Sequence, residues 1–474
     1  MNRKTKIVAT IGPSTASKEM LKKIINKGVN VCRINFSHGS HEDNKKVIKS
    51  IREINKEQGL FTAILADLQG PKIRVGEIKN NGIELINNKE IIFTTKECLG
   101  DEEKVYISYQ NFPKDVSVGE TILLDDGKLS LKIKSTNNKN EVVAVVKHGG
   151  ILSSNKGVNL PNTKISLPSL TKKDLADLDF ALKMDVAWIG LSFVRNAKDI
   201  VALKKIITKA KSNAKVIAKI EKPEAIKEID SIIEATDAIM VARGDLGVEI
   251  PFQEVPLAQK MIVKKSMKAS KPVIIATQMM ESMIDNITPT RAEVNDVANA
   301  VLDGTDAVML SGETSVGKHP VAVIEAMDKI IKDVETDNSL YHFEYPPSED
   351  NIDRYITDSV CFNSCRLAQR VNASGIVTMT FSGYTAFKIA SFRPKAGIFV
   401  FTGNANILNM LSLVWGVNVF LYDKFVSTDH TIADIKYILK KENKVKKNEL
   451  IINIASMPIA EKGQSNMMKL SYIE

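Results

Sequence analysis

Eight short apolar runs rich in β-branched residues recur along the first two thirds of the chain: KIVAT, VNVCRINF, FTAILADL, DVAWIGLSF, AKVIAKIE, DAIMVARG, KPVIIAT and DAVMLSG. Each is a nearly continuous hydrophobic segment rather than an apolar/polar alternation, the pattern of parallel strands buried on both faces. Helical patterns such as NKKVIKSIREINKEQ and VALKKIITKAKS separate most of them. Alternating strands and helices build a doubly wound sheet or a barrel, and eight units favour a closed (β/α)8 barrel.

The alternation breaks once, after the third run. From about Val75 to Val158 the chain carries strand-like pieces, IELINNKEIIFTT, ETILLDD and EVVAVVKH, punctuated by Asn-Gly, Asp-Gly and Gly-Gly turns. This predicts an inserted all-β domain, with the stretch DLQGPKIR as the hinge into it. Beyond the Pro-containing segment SLYHFEYPPSEDN, the runs GIVTMT, AGIFVFT, VNVFLYD and LIINIAS alternate with the helical TAFKIASF and ANILNMLSLV, predicting a separate α/β domain. At 474 residues the chain exceeds a single core of ordinary size. The expected division is barrel over 1–70 and 161–342, β-domain over 71–160 and C-terminal domain over 343–474.

Composition narrows the function classes. No apolar run reaches the roughly 18 residues of a membrane span, and the N-terminus MNRKTKIVATIGPS lacks an export signal, so a cytoplasmic protein is expected. The cysteines at 32, 98, 361 and 365 form neither a disulfide framework nor a metal motif and are expected to be buried free thiols. A net charge of +9 favours acidic partners, and small phosphates fit better than nucleic acid, because the lysine-rich KYILKKENKVKKNEL has the spacing of a solvated helix face.

In a barrel the chemistry lies at the carboxyl ends of the strands. Strand two ends RINFSH, and a period of two aligns Arg33, Asn35 and Ser37. Strand three ends at Asp67; strand five carries Lys219 and Glu221 on one face; strand six ends ARGDLG with Asp245; strand seven ends in Thr277 and strand eight in Ser311 and Glu313. Lys219 and Glu221 alone would be an ordinary buried ion pair. Charge at so many strand ends instead calls for a shared metal and an anionic ligand, since unpaired buried ions are costly. Glu221 and Asp245 suit Mg²⁺, which keeps open positions for water and substrate oxygens. With Lys219 and Arg33 they form the charge-neutralising set that phosphoryl transfer needs. No Walker loop or kinase-type Gly-rich loop is present, so a hinged lid carrying Arg74 and Lys156 is expected to hold the nucleotide.

These stretches resemble the pyruvate kinase family: KIVATIGPS, CRINFSHG, LADLQGPKIRVG, LDDG, KGVNLP, DLDFAL, IGLSFVR, AKIEKPE, VARGDLGVEIP, ATQMMESM, PTRAEVNDVANAV and MLSGETSVGKHPV follow in order from residue 6 to about 322. The resemblance implies transfer of the phosphoryl group of phosphoenolpyruvate to ADP, with protonation of the enolate to pyruvate. It implies Lys219 as stabiliser of the transferring group, Glu221 and Asp245 as Mg²⁺ ligands (Mn²⁺ substituting), and Arg33, Gly244, Asp245 and Thr277 as the substrate site. Thr277 or a bound water relays the proton. Arg74 and Lys156 match ADP-binding positions, with the segment Asn35, Ser37 and His38 alongside. Asn35, Ser37, Asp67 and the Leu68 carbonyl match a monovalent-cation pocket.

In that pocket Lys72 stands where many members have a glutamate and need K⁺. A tethered ammonium near Asp67 is expected to supply the charge of K⁺, as in members with Leu68, Gln69 and Val75 as its companions. In the C-terminal domain TFSGYT, with Thr380, Ser382, Gly383 and Thr385, matches the cradle for a phosphorylated activator. Phe381 and Tyr384 stand where some sugar-bisphosphate-activated members carry bases, and a plain helix cap explains the hydroxyls equally. The resemblance further implies a homotetramer, and with Glu474 following closely on GQSNMMKL, the extra phosphotransfer-like domain of some bacterial members is expected to be absent. Two rivals predict different outcomes: another barrel enzyme of phosphoenolpyruvate or a pyruvate enolate, which leaves the β-domain unexplained, and a non-catalytic effector sensor, which predicts a lost catalytic residue.

Overall fold

A computed structural model describes residues 3–161, 163–343, 345–348, 352–424, 427–457 and 464–474. Part of the predicted linker, residues 344 and 349–351, lies outside these. The eight apolar runs form strands β1 (Lys6–Ile11), β2 (Val31–Asn35), β3 (Ala63–Asp67), β4 (Trp188–Leu191), β5 (Lys215–Ile220), β6 (Ala238–Ala242), β7 (Val273–Ala276) and β8 (Ala307–Leu310). All pair in parallel, each with the next, and β8 closes on β1 through Lys6↔Ala307. Closure leaves no edge, and helices cover the outside, so most of these strand residues lose nearly all contact with water.

The surrounding helices begin where short polar side chains can satisfy the first free N–H groups. Ser17, Ser40 and Asn196 cap three of them, and Thr171 and Thr290 form capping boxes with Asp174 and Glu293. Asp174 has a second task. One oxygen accepts from Thr171 N–H at 2.9 Å and the other from Gly70 N–H at 3.0 Å, so the helix that resumes the barrel also fixes the hinge. Gly70 has φ +70°, and a Cβ there would lie 2.9 Å from Ser192 and Phe193, so only glycine fits this turn.

The insertion is a β-domain with its own core, centred on Phe93, Tyr109, Phe112 and Leu131. Its main sheet has six strands, including Leu129–Thr136 and Glu141–His148, and Ile83–Leu85 pairs with Gly150–Leu152. A 3-10 turn, Lys79–Asn81, and one α-helical turn, Phe112–Asp115, interrupt the otherwise all-β character. The C-terminal sheet contains β9 (Gly375–Met379), β10 (Gly397–Thr402), β11 (Val417–Leu421), β12 (Leu450–Ala455) and β13 (Met467–Tyr472), in the order β11-β10-β9-β12-β13. The first four are the predicted parallel runs; β13 adds an antiparallel edge that the sequence pattern did not reveal.

This domain closes the amino-terminal end of the barrel, opposite the strand ends that carry the predicted site. Trp188 at the start of β4 donates to Met410 O at 3.2 Å, and Lys6 at the start of β1 donates to Val417 O at 2.8 Å. Arg393 is buried across the junction, bonded to Gly304 O at 2.7 Å and Asp306 at 2.9 Å with its guanidinium over the Trp415 ring. Cys32, Cys361 and Cys365 are buried free thiols as expected, whereas Cys98 is exposed on the β-domain. Among the described residues no helix is long and apolar enough to cross a membrane.

Candidate active site

At the carboxyl end of the barrel, Asp67 lies at the centre of a buried charge cluster. One oxygen takes Arg33 Nε and Nη2, both at 2.7 Å; the other faces Lys219 Nζ at 3.3 Å. Arg33 is further held by Thr10 Oγ1 at 3.0 Å. Lys219 Nζ also meets Glu221 at 2.9 Å and donates to Ser192 Oγ at 2.7 Å, while Ser192 Oγ donates to Leu68 O at 2.7 Å. The second Glu221 oxygen accepts from Phe193 N–H at 2.7 Å.

Charge balance follows from this packing. Burial alone would drive Lys219 toward its neutral form, but Asp67 and Glu221 together outweigh it and its pKa is raised, so the ammonium is fixed in the charged state. Burial likewise opposes ionisation of Asp67, and Lys219 and Arg33 reverse it, leaving its pKa lowered. Glu221 differs. Burial and the neighbouring Asp245 raise its pKa despite Lys219. Two carboxylates that repel one another in a dry site form a natural cation seat. Two carboxylates would leave the remaining positions of a bound cation to water and substrate oxygens; among the described residues no group of three or more His, Cys, Asp or Glu side chains is arranged to hold a metal.

Asp245, expected at the end of strand six, sits in the first turn of a helix, Arg243–Glu249. The helix starts directly after β6 and is pinned by Arg243, which bonds Asp296 at 2.6 and 2.7 Å and Thr277 O at 2.8 Å. Gly244 N–H donates to Thr277 Oγ1 at 2.7 Å, and that hydroxyl donates to Ala276 O at 2.5 Å. Thr277 has φ +70°, a conformation a β-branched residue adopts only under constraint.

Other predicted residues make no side-chain hydrogen bond or ion pair with this cluster among the described residues. Glu313 is in a one-turn helix beyond β8 and accepts from Ser311 N–H at 2.6 Å and Met280 N–H at 3.2 Å; its carboxylate braces backbone rather than facing Lys219. β2 ends at Asn35, so the face rule stops there: Asn35 Oδ1 accepts Ser37 N–H at 3.1 Å in the following turn, and His38 is exposed. Arg74 donates to Asn155 O at 2.9 Å and Lys156 pairs with Asp125 at 2.8 Å, both within the β-domain. Lys72 is not the partner of Asp67, whose oxygens are taken by Arg33 and Lys219. It lines the cleft between β-domain and barrel, with Asp126, Gly244 and Asp245, and has no ion pair among the described residues. In the C-terminal domain Thr380 accepts Gly383 N–H at 3.0 Å and Ser382 accepts Tyr384 N–H at 3.4 Å, while Thr385 contacts Ser465 at 3.3 Å.

Ser192, Thr10 and Gly190 belong to the site although no charge drew attention to them. A Cβ on Gly190 would lie 2.8 Å from the Asp67 carboxylate, so glycine there keeps the acid in place. Lys222 and Glu249 form a second buried pair at 2.7 Å, and Asn159 of the β-domain donates to the same glutamate oxygen at 2.8 Å, joining lid to barrel.

A closed α/β barrel with a capping β-domain and paired cations and carboxylates at its strand ends defines an enzyme of the barrel class built for a small anionic substrate. The matches are specific. Residues 2–324 match the barrel domain of pyruvate kinase and residues 358–471 its alpha/beta domain. The chain is 42% identical to a pyruvate kinase from Corynebacterium efficiens, covering 99% of this chain and 97% of that one, and 42% identical to one from Geobacillus stearothermophilus, covering 100% and 81%. A crystal structure of a pyruvate kinase from Cryptosporidium parvum superposes with a TM-score of 0.92 at 35% identity, covering 100% of this chain and 96% of that one. The chain belongs to the pyruvate kinase family, enzymes that convert phosphoenolpyruvate and ADP to pyruvate and ATP.

Proposed function

We propose that the cluster around Lys219 is the catalytic centre for this phosphoryl transfer, and the observation that carries it is a charged, desolvated ammonium fixed by three partners at the mouth of the barrel. The migrating group leaves the enol oxygen of phosphoenolpyruvate and is taken by the terminal phosphate oxygen of ADP. Lys219 and Arg33 neutralise the charge spread over its equatorial oxygens as the old P–O bond breaks and the new one forms. The backbone at Gly244 and Asp245, with Thr277, holds the substrate, and Thr277 or a water beside it delivers the proton to the enolate carbon. Arg74 and Lys156 on the lid, with Asn35, Ser37 and His38, bind ADP, and lid closure excludes water as a competing acceptor. Glu221 and Asp245 fit Mg²⁺, with Mn²⁺ as a substitute, which when bound supplies Lewis-acid stabilisation of phosphoryl and enolate oxygens.

In the monovalent-cation pocket of Asn35, Ser37, Asp67 and Leu68, the function of K⁺ passes to protein charge. The Lys72 ammonium supplies it from the cleft rather than against Asp67, whose paired cations are Arg33 and Lys219. Thr380, Ser382, Gly383 and Thr385 form the loop for a phosphorylated activator, and the working form is a cytoplasmic homotetramer. The chain works as a barrel of 1–70 and 161–342, a moving lid of 71–160 and a C-terminal domain of 343–474. The test is pyruvate and ATP formation from phosphoenolpyruvate and ADP with Mg²⁺, in K⁺ and in tetramethylammonium. Turnover in both media supports the reading; no ATP in either refutes the function, and activity confined to K⁺ refutes the role of Lys72.

A further inference from the structure

Where the lid meets the barrel, the buried Lys222–Glu249 pair stands beside both carboxylates of the cation seat. Lys222 directly follows Glu221 at the end of β5. Glu249 lies four residues after Asp245, one turn along the helix Arg243–Glu249 and on the same face. Lys222 Nζ meets Glu249 Oε1 at 2.7 Å. The same ammonium lies 5.9 Å from the centre of the Phe193 ring, and Phe193 N–H donates to Glu221 at 2.7 Å. The pair therefore ties the segment that carries one cation-seat carboxylate to the helix that carries the other.

The third member comes from the lid. Asn159 sits on the short strand Val158–Asn159, which pairs with Thr121–Leu124 of the β-domain, and its Nδ2 donates to Glu249 Oε1 at 2.8 Å. Glu249 Oε2 is buried with no hydrogen-bond partner among the described residues, so the hold on this carboxylate runs through the one oxygen that Lys222 and Asn159 share. Apolar side chains of similar volume can replace a buried ion pair without loss of stability, so stability alone gives no reason for this one.

A reason lies in the charge next door. Glu221 and Asp245 repel one another in a dry site, which pushes the end of β5 and the helix apart, and the attraction between Lys222 and Glu249 opposes that push. We propose, on the reading that Glu221 and Asp245 hold Mg²⁺, that Glu249 is a positioning residue that sets the separation of these two carboxylates, and that Asn159 makes the separation depend on the lid. With the lid seated, Glu249 is held by Lys222 and Asn159 together, and Asp245 is fixed through one helical turn. With the lid away, Lys222 alone resists the repulsion and the seat loosens. Coupling of this kind is reciprocal, so a bound cation also favours the seated lid.

The test is Mn²⁺ binding to the full chain without phosphoenolpyruvate or ADP, read as loss of the electron paramagnetic resonance signal of free Mn²⁺, so that no turnover enters. Wild type binds Mn²⁺ at a site that Asp245→Asn removes. Asn159→Ala weakens that binding at least about threefold, a share of the tenfold or more that one bond to a charged acceptor can carry. Lys222→Met combined with Glu249→Leu removes both charges at once, which spares the fold, and weakens binding at least about tenfold. Gln110→Ala, which loses a bond to Thr95 O at 3.2 Å inside the lid, keeps the wild-type affinity. Absence of an Asp245-dependent Mn²⁺ site in wild type would overturn the metal reading and this coupling with it. Mn²⁺ bound by wild type and held equally by Asn159→Ala or by the double variant would overturn the coupling alone and leave the metal site standing.

Discussion

Ser192 offers the sharpest perturbation of the site, because among the described residues its hydroxyl is the one neutral group holding the Lys219 ammonium. The residue is 2% exposed, donates to Leu68 O at 2.7 Å and accepts from Lys219 at 2.7 Å. Ser192→Ala removes one neutral bond, worth about 1 kcal/mol, and one bond to a charged group, worth about 1.5–3 kcal/mol, so the barrel should lose roughly 3 kcal/mol. Lys219 keeps Asp67 and Glu221, so it stays charged but is held by two groups instead of three. A loss of about 1.4 kcal/mol in transition-state fit lowers kcat about tenfold. Urea unfolding followed by Trp188 and Trp415 fluorescence gives the stability, and a pyruvate-forming assay at saturating phosphoenolpyruvate gives kcat. An unchanged midpoint together with unchanged kcat would refute the claim that Ser192 positions Lys219.

Further outcomes follow from the junction between barrel and C-terminal domain. Asp306→Ala leaves the Arg393 guanidinium, 1% exposed, without its carboxylate, and should destabilise the chain by about 3–5 kcal/mol in the same unfolding assay. Lys6 is buried with Val417 O as its acceptor, and burial lowers its pKa from 10.5 to about 7. The unfolded chain then holds a proton that the folded chain has released, so stability rises with pH between about 7 and 10.5, by up to about 1.4 kcal/mol per unit from this group. Lys6→Met should flatten the slope of stability against pH over that window relative to wild type, and an unaltered slope would show that the ammonium stays charged.

The barrel was legible because its strands are buried on both faces and read as continuous apolar runs. The edge strand β13 was not, since MMKLSY leaves Met468, Leu470 and Tyr472 exposed and carries no such run. RGDLGVE carries two glycines that lower its helix propensity, so its helix was not foreseen at the end of strand six; it forms with Arg243 anchored to Asp296 and Thr277. At the site, the period of two paired Lys219 with Glu221, but it failed for Ser37, which lies beyond the end of β2. Ser192 escaped notice because a search for charge at strand ends passes over a hydroxyl. The direction of Lys72 was hidden for another reason: a Gly-Pro turn fixes where the chain bends, while neighbours distant in sequence decide where the side chain goes.

The central claim rests on Lys219. Lys219→Met keeps the length of the side chain and removes the ammonium that neutralises the migrating phosphoryl group; leaving Glu221 without its cation and Asp67 with Arg33 alone costs stability, so folding is checked by circular dichroism. Single-turnover formation of ATP from phosphoenolpyruvate and ADP should fall by about 10²–10³-fold in the folded variant, the loss typical of one preorganised charge stabiliser. A folded variant that transfers the phosphoryl group at the wild-type rate would contradict the account.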